Sequence, residues 1–318
     1  MARRITGTNG NERIDQNGRP DLDIRALGGN DTIVLDRDDD LGGDNRVDAG
    51  NGNDTVVNTF EGGNIILMGK GDDTYIGTGF STLGGLDGVD GGAGDDRFFL
   101  KTLKSAYLGG KGDDIFVSDG WENNINGAKG SDTISYQFRH QDSVVGGTGV
   151  TIDLAAGAAQ TGSIRQEKLT SIENAIGSER ADAIGGTNDT NVLSGLGGAD
   201  QIFGFGGNDV IEGGAGGDLL FGGTQADRFV YRSVGDSRSG AFDTIGDFSS
   251  AEGDRIDLSA MDGSDAFRFI GSSAFSGRGG EIRFSGGVVS VDVDGNRSAD
   301  LVIDMDGLAT MANTDFLV

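Results

Sequence analysis

Aspartates recur at fixed places in glycine-rich turns along this chain, at a spacing that suits a repeated cation site. From Gly177 to Val230 six nine-residue units follow without a break, and the third to sixth read GLGGADQIF, GFGGNDVIE, GGAGGDLLF and GGTQADRFV. This is close to G-G-x-G-x-D-x-U-x with U apolar, the repeat of a calcium-binding parallel β-roll. If successive units turn the chain to opposite edges of a coil, each edge recurs after 9 + 9 = 18 residues. Asp182, Asp200 and Asp218 then form one file, and Asn191, Asp209 and Asp227 the other. Adjacent coils lie about 4.8 Å apart. Carboxylates at that distance repel unless a hard cation sits between them, and with turn carbonyls they supply the roughly six to eight oxygens that Ca2+ takes. Turn formation alone explains one such aspartate but not a periodic series.

The same template finds a looser series upstream. Its members are ALGGNDTIV, AGNGNDTVV, MGKGDDTYI, GGAGDDRFF, GGKGDDIFV and GAKGSDTIS, with key acids Asp31, Asp54, Asp73, Asp96, Asp114 and Asp132. These acids are 23, 19, 23, 18 and 18 residues apart, one full coil each, so only one edge carries the motif. A single file of calcium ions is expected here, against two files in the second roll. The other edge is made of variable stretches such as DRDDDLGGDN, NTFEGGN and TLKSAY, and GTNGNERID offers a degenerate first rung with Glu12 in the acid's place.

The elements that must hold these turns follow from the rest of each unit. The x-U-x half is a three-residue strand with one inward side chain, and Ile184, Leu193, Ile202, Ile211, Leu220 and Phe229 make an inward column. No single unit buries its one large side chain, so the fold is stabilised by stacking. The predicted class is all-β, a right-handed parallel β-roll or solenoid with an antiparallel β cap. Its parts are an irregular one-edged solenoid (1–140), connecting coils without the calcium motif (141–176), the regular roll (177–230) and the cap (231–318), joined as one continuous elongated rod. In the cap, DVDGNRSAD groups Asp292, Asp294 and Asp300 in a turn that reads either as another calcium site or as a polar hairpin; it departs from an EF-hand loop.

Composition bears on chemistry as well as fold. With 51 acidic and 25 basic residues the net charge is −26, which argues against nucleic acid or an anionic membrane and for cations. Sixty glycines, one proline and no cysteine leave rigidity to the metal, so metal binding and folding are expected to be coupled. There is no H-E-x-x-H, G-x-S-x-G, P-loop or G-x-G-x-x-G, and the single histidine, His140 beside Tyr136 and Arg139, cannot build a zinc site of the protease type. Carboxylate-only chemistry of the glycosidase kind is left open by residue types. No apolar run is long enough for a transmembrane helix, and the N-terminus has no apolar signal-peptide core.

The repeats resemble those of RTX proteins, and the region from about Asp227 onward resembles the serralysin C-terminal domain through DRFVYRSVGDS, FDTIGDFSSAEGDRIDLSAMD, FRFIGSSAFSG, VDVDGNRSADLVIDM and DFLV. The likeness covers the final 140 or so residues well and the first 140 only through the loop motif. It implies a bacterial secreted protein exported by a type I ABC transporter, with an uncleaved signal at the extreme C-terminus that ends in Asp315, Phe316, Leu317 and Val318. Millimolar extracellular calcium would fill sites too weak for the cytosol.

Two features of the first solenoid suggest a surface. Lys70, Lys111 and Lys129 recur at the third loop position, with Arg97, Lys101 and Lys104 near in sequence. They read as a grip for a polyanion such as acidic exopolysaccharide, or as charges that temper acidic repulsion. The ninth position is apolar in Val34, Val57, Ile76, Phe99 and Val117 although alternation turns it outward, so it is either covered or a patch for a partner. The expected function is non-catalytic: a secreted calcium-binding protein that folds on calcium and contacts extracellular surface or polysaccharide. The alternative is an enzyme, or the exported part of one, of the lyase or epimerase type acting on acidic polysaccharide.

Overall fold

The computed structural model describes residues 2–36, 43–60, 62–79, 86–139, 147–162, 165–261 and 266–318. Its contacts form two compact units, Met1–Val145 with Ala156–Asn174, and Gly146–Ala155 with Ala175–Val318. The protein is an all-β parallel β-solenoid.

In the first unit each coil gives one strand to each of two parallel sheets. One sheet stacks Arg13–Asp15, Thr32–Leu35, Thr55–Asn58, Thr74–Gly77, Arg97–Leu100, Ile115–Ser118 and Thr133–Ser135. The facing sheet runs from Arg3–Thr6 to Asn124–Lys129 and takes Arg165–Thr170 as a further parallel strand. Register brings identical repeat positions together. Ile33, Val56, Tyr75, Phe98 and Phe116 stack inward from one side, and Ile24, Val47, Ile66, Val89 and Tyr107 from the other; all are at least 97% buried. Burying one such side chain is worth about 1.5–3 kcal/mol, and a single coil contributes only two, so the stack must form together.

The ninth-position column is neither sealed nor bare. Val34, Val57, Ile76 and Phe99 are half-buried and Val117 is buried, with Phe138 lying along the same surface. Part of the stretch between the two repeat series returns to this unit: Ala158–Thr161 and Arg165–Thr170 form an antiparallel hairpin on the strand Asn124–Lys129.

In the second unit the inward columns extend past the repeats at both ends. One runs Ile152, Ile184, Ile202, Leu220, Ile245 and Met305, and the other Ala175, Leu193, Ile211, Phe229, Ile256 and Phe316. The first strands of the expected antiparallel cap are therefore further parallel coils. Asp243–Ile245 and Arg255–Asp257 keep the inward apolar residue two places after an aspartate and so continue the roll. Among the described strands of this unit antiparallel pairing joins Glu281–Ser285, Val288–Asp292 and Leu301–Met305, and one isolated antiparallel bridge links Arg238 with Ala241. The terminal DFLV supplies the last strand, with Phe316 buried in the final core slot. No helix of the described residues is long and apolar enough to cross a membrane.

Candidate metal centre

Each key aspartate stands two residues before an inward apolar side chain, so pleating turns it to the same interior side as the core, at the edge where the strand begins. The result is a ladder. The backbone N–H of Asp31 donates to Asp54 Oδ1 at 2.7 Å, and that of Asp54 to Asp73 Oδ1 at 2.7 Å. The pattern repeats from Asp73 to Asp96 at 2.8 Å, Asp96 to Asp114 at 2.9 Å and Asp114 to Asp132 at 2.8 Å. All six acids are at least 99% buried, and the second oxygen, Oδ2, of every one has no hydrogen-bond partner. In the three units that open with glycine it points into the space that glycine leaves: a Cβ on Gly91, Gly109 or Gly127 would collide with Oδ2 of Asp96, Asp114 or Asp132.

The second unit carries two such files. In one, Asp182 N–H donates to Asp200 Oδ1, Asp200 to Asp218 and Asp218 to Asp243. In the other, Asn191 N–H donates to Asp209 Oδ1, Asp209 to Asp227 and Asp227 to Asp254. Oδ2 of Asp200, Asp209, Asp218, Asp227 and Asp243 is buried without a partner. Asp243 and Asp254 fall 25 and 27 residues after their predecessors, so a search for a fixed period overlooks them; D-x-U, in DTI and DRI, was the signal that could have found them.

Opposite the acidic file, the first unit closes its other edge with a different ladder. Asn45 N–H donates to Asn64 Oδ1, Asn64 to Asp87 Oδ1, Asp87 to Ser105 Oγ and Ser105 to Asn123 Oδ1. Asn123 Nδ2 then donates to Glu167 Oε1, which also accepts from Ser118, while Tyr136 donates to Glu167 Oε2 and Arg139 lies 3.7 Å from it. Tyr136 and Arg139 are thus buried in a packing network, with the guanidinium 5.2 Å from the centre of the tyrosine ring. His140 lies outside the described residues. The apparently variable loops concealed this ladder, yet N-x-V, N-x-I, D-x-V, S-x-Y and N-x-I carry the same polar-x-apolar offset as D-x-U.

Burial sets the electrostatics. Desolvation raises the carboxyls of Asp73, Asp96, Asp114 and Asp227 to about 7, and those of Asp200 and Asp243 to about 8. Neighbouring acids of the same file push in the same direction, and the accepted backbone N–H opposes them. A folded-state value above the unfolded one means that the folded chain binds more protons between about pH 4 and 8, so metal-free stability must fall as pH rises through that window. We expect chelated protein to keep more β-structure at pH 5 than at pH 8, by circular dichroism; a pH-independent spectrum counts against the buried ladder.

Chemically, a file of half-paired carboxylates one coil apart suits a hard, oxygen-preferring cation larger than magnesium. In the C-terminal turn, Asp292, Asp294 and Asp300 bring one oxygen each within 4.8 Å of one another. Asp292 there accepts the N–H groups of Gly295 and Arg297, and Asp300 those of Val293 and Asp294. On the loop edge of the first unit Lys111 and Lys129 are register neighbours, Ala93 separates Lys111 from Lys70, and all three lysines are exposed. Arg97 is exposed on the strand that leaves its loop, and Lys104 pairs with Glu122 at 3.3 Å.

Residues 127–318 match the family model described as Peptidase M10 serralysin C terminal. The chain belongs to this family. Serralysin C-terminal domains are RTX-type β-rolls, a family known to bind calcium, and are the non-catalytic part of their proteins. Two solution structures are also similar, both subunits of a mannuronan C5-epimerase of Azotobacter vinelandii. The R3 subunit of AlgE6 is 29% identical with a TM-score of 0.34, over 43% of this chain and 79% of that one. The R2 subunit is 30% identical with a TM-score of 0.33, over 44% and 88%. No curated protein matches the chain.

Proposed function

We propose that this serralysin-family chain is a secreted, non-catalytic protein that folds on calcium outside the cell and presents its solenoid to extracellular polysaccharide. The observation that carries the calcium reading is the row of buried aspartates with one oxygen bonded to the neighbouring coil and the other unpaired. The ions would lie along Asp31, Asp54, Asp73, Asp96, Asp114 and Asp132 in one file, and along Asp200 with Asp218 and Asp209 with Asp227 in two more. Asp243 would close one of these. Asp292, Asp294 and Asp300 offer a further, separate place. Family membership supports secretion, and the type I ABC-transporter route rests on the resemblance of the DFLV terminus to such signals.

Calcium binding is tested by counting bound ions with native mass spectrometry. A chain that binds none in millimolar calcium refutes this part of the proposal.

The polysaccharide reading is supported by the exposed lysine edge on an otherwise acidic chain. Reversing both neighbouring charges, Lys111→Glu with Lys129→Glu, should weaken binding to an alginate-like polyanion on the order of ten-fold at low salt, with the effect fading as salt screens it. Binding isotherms on a glycan array in calcium report this. Unchanged affinity removes the lysine edge from the proposal, and product formation from the same polymer would replace the non-catalytic reading with a lyase or epimerase.

A further inference from the structure

Among the nine-residue repeat loops of the described residues, three differ from the rest in one residue, at the second place of the unit. In the nine-residue repeat loops from Asp31 to Asp227 that hold a half-paired aspartate this residue is left-handed: the glycines there have φ between 89° and 121°, and Leu27, Ala128, Leu196 and Phe205 have φ of 82°, 78°, 72° and 74°. The longer inserted loops before Asp243 and Asp254 place Ser239 and Ser250 four residues ahead of the acid, outside the left-handed set and without a hydroxyl bond to it among the described residues. The exceptions among the nine-residue loops are Thr8, Ser178 and Thr187, which are not among the left-handed residues. Threonine is β-branched and avoids that region. In its place the loop adopts a conformation that turns the residue's own N–H and hydroxyl onto the acid position four residues later.

All three loops show the same pair of bonds. Thr8 N–H donates to Glu12 Oε2 at 2.9 Å and Thr8 Oγ1 to Glu12 Oε1 at 2.6 Å. Ser178 N–H donates to Asp182 Oδ2, Ser178 Oγ to Asp182 Oδ1 at 3.0 Å, and Val150 N–H also donates to Asp182 Oδ1. Thr187 N–H donates to Asn191 Oδ1 at 2.6 Å, and Thr187 Oγ1 to the same oxygen at 3.3 Å. Each side chain at the acid position is thereby bonded within its own loop, where the open loops leave Oδ2 of the aspartate unpaired.

Their positions are not random. Glu12 N–H donates to Asp31 and so heads the single file of the first unit; Asp182 and Asn191 donate to Asp200 and Asp209 and head the two files of the second. We infer that a serine or threonine at the second place of a nine-residue repeat loop, bonded through both hydroxyl and amide to the acid position four residues on, is a built-in terminator that takes the place of a calcium ion at the first rung of each file. The inference rests on the calcium reading above and adds which rungs stay metal-free: Glu12, Asp182 and Asn191 cap the files, and ions begin at the next coil.

The test is the number of calcium ions bound per full-length chain, by native mass spectrometry, with circular dichroism confirming that each variant is folded in calcium. Asp182→Asn should bind as many ions as wild type, whereas Asp200→Asn should lose at least one. Opening a terminator and supplying the missing charge, Thr187→Gly with Asn191→Asp, should add an ion. Loss of an ion on Asp182→Asn, or no gain in the opened variant, overturns the terminator while leaving the calcium reading intact. A wild-type chain that binds no calcium overturns both.

Discussion

Removing calcium at pH 8 is expected to abolish most of the β-structure of this protein, and returning it to restore the fold. Among the described residues eleven aspartates bury an Oδ2 without a partner. Leaving one buried polar atom unsatisfied costs about 1–3 kcal/mol, and an uncompensated buried charge costs several. Even at about 1 kcal/mol each, the sum reaches the 5–15 kcal/mol or so that a whole domain has to spare. Protons can stand in for the metal at acid pH, because burial raises all of these carboxyls, ten of them to between about 6 and 8, but at pH 8 that substitute is largely withdrawn. The files in the two units therefore fail together with their core columns, since strand and turn belong to the same coil. Circular dichroism during chelation and calcium return measures this directly. A full β spectrum in excess chelator at pH 8 would show that the acidic ladders do not need a cation.

In saturating calcium, Phe98→Ala should be the costliest single truncation in the first unit, about 3–5 kcal/mol. Phe98 is 1% exposed and meets Phe116 face to face at 4.6 Å, with Tyr107 and Tyr75 rings at 6.2 Å and 6.4 Å. Its removal opens a cavity that neighbouring coils, tied by register above and below, cannot collapse to fill. Phe203 is the control. It too stacks face to face, at 5.0 Å from Phe221, but on the outer, half-exposed surface of its coil, so Phe203→Ala should cost only about 1 kcal/mol. Urea unfolding followed by the fluorescence of Trp121, the single tryptophan, reports the first unit, and circular dichroism reports the Phe203 variant. Equal losses in the two variants would mean that the inward column is not the principal store of stability.

Much of this was legible before any coordinates, because a repeat fixes local geometry and neighbour at once. An aspartate two places ahead of an apolar residue, behind a glycine turn, can only be an edge position one side chain away from the core, and the acids from Asp31 to Asp227 occupy such positions. The ladder of Asn45, Asn64, Asp87, Ser105 and Asn123 escaped notice for a physical reason. A neutral or fully bonded edge needs no glycine cradle for an ion, so its loops vary freely in length and composition, and only the polar-x-apolar offset survives. Asp243 and Asp254 were missed because the insertions before them, SRSGAF and SSAEG among others, leave the roll and return to it, which breaks the period while preserving the register.

The sequence by itself determined the parallel coil, its inward columns, the acidic files and the cation chemistry they invite, since each follows from residue type at a repeated offset. Only the tertiary structure decided which carboxylate oxygens are left unpaired. That depends on where a backbone N–H of the next coil, or a hydroxyl four residues back, comes to rest. Asp182 and Asp200 sit in units of the same length and near-identical pattern, yet one is fully bonded by Ser178 and Val150 and the other keeps a bare buried oxygen. The pairing of the last strand, in which Phe316 fills the slot above Ile256, was likewise settled by packing, because a four-residue terminus has no period of its own.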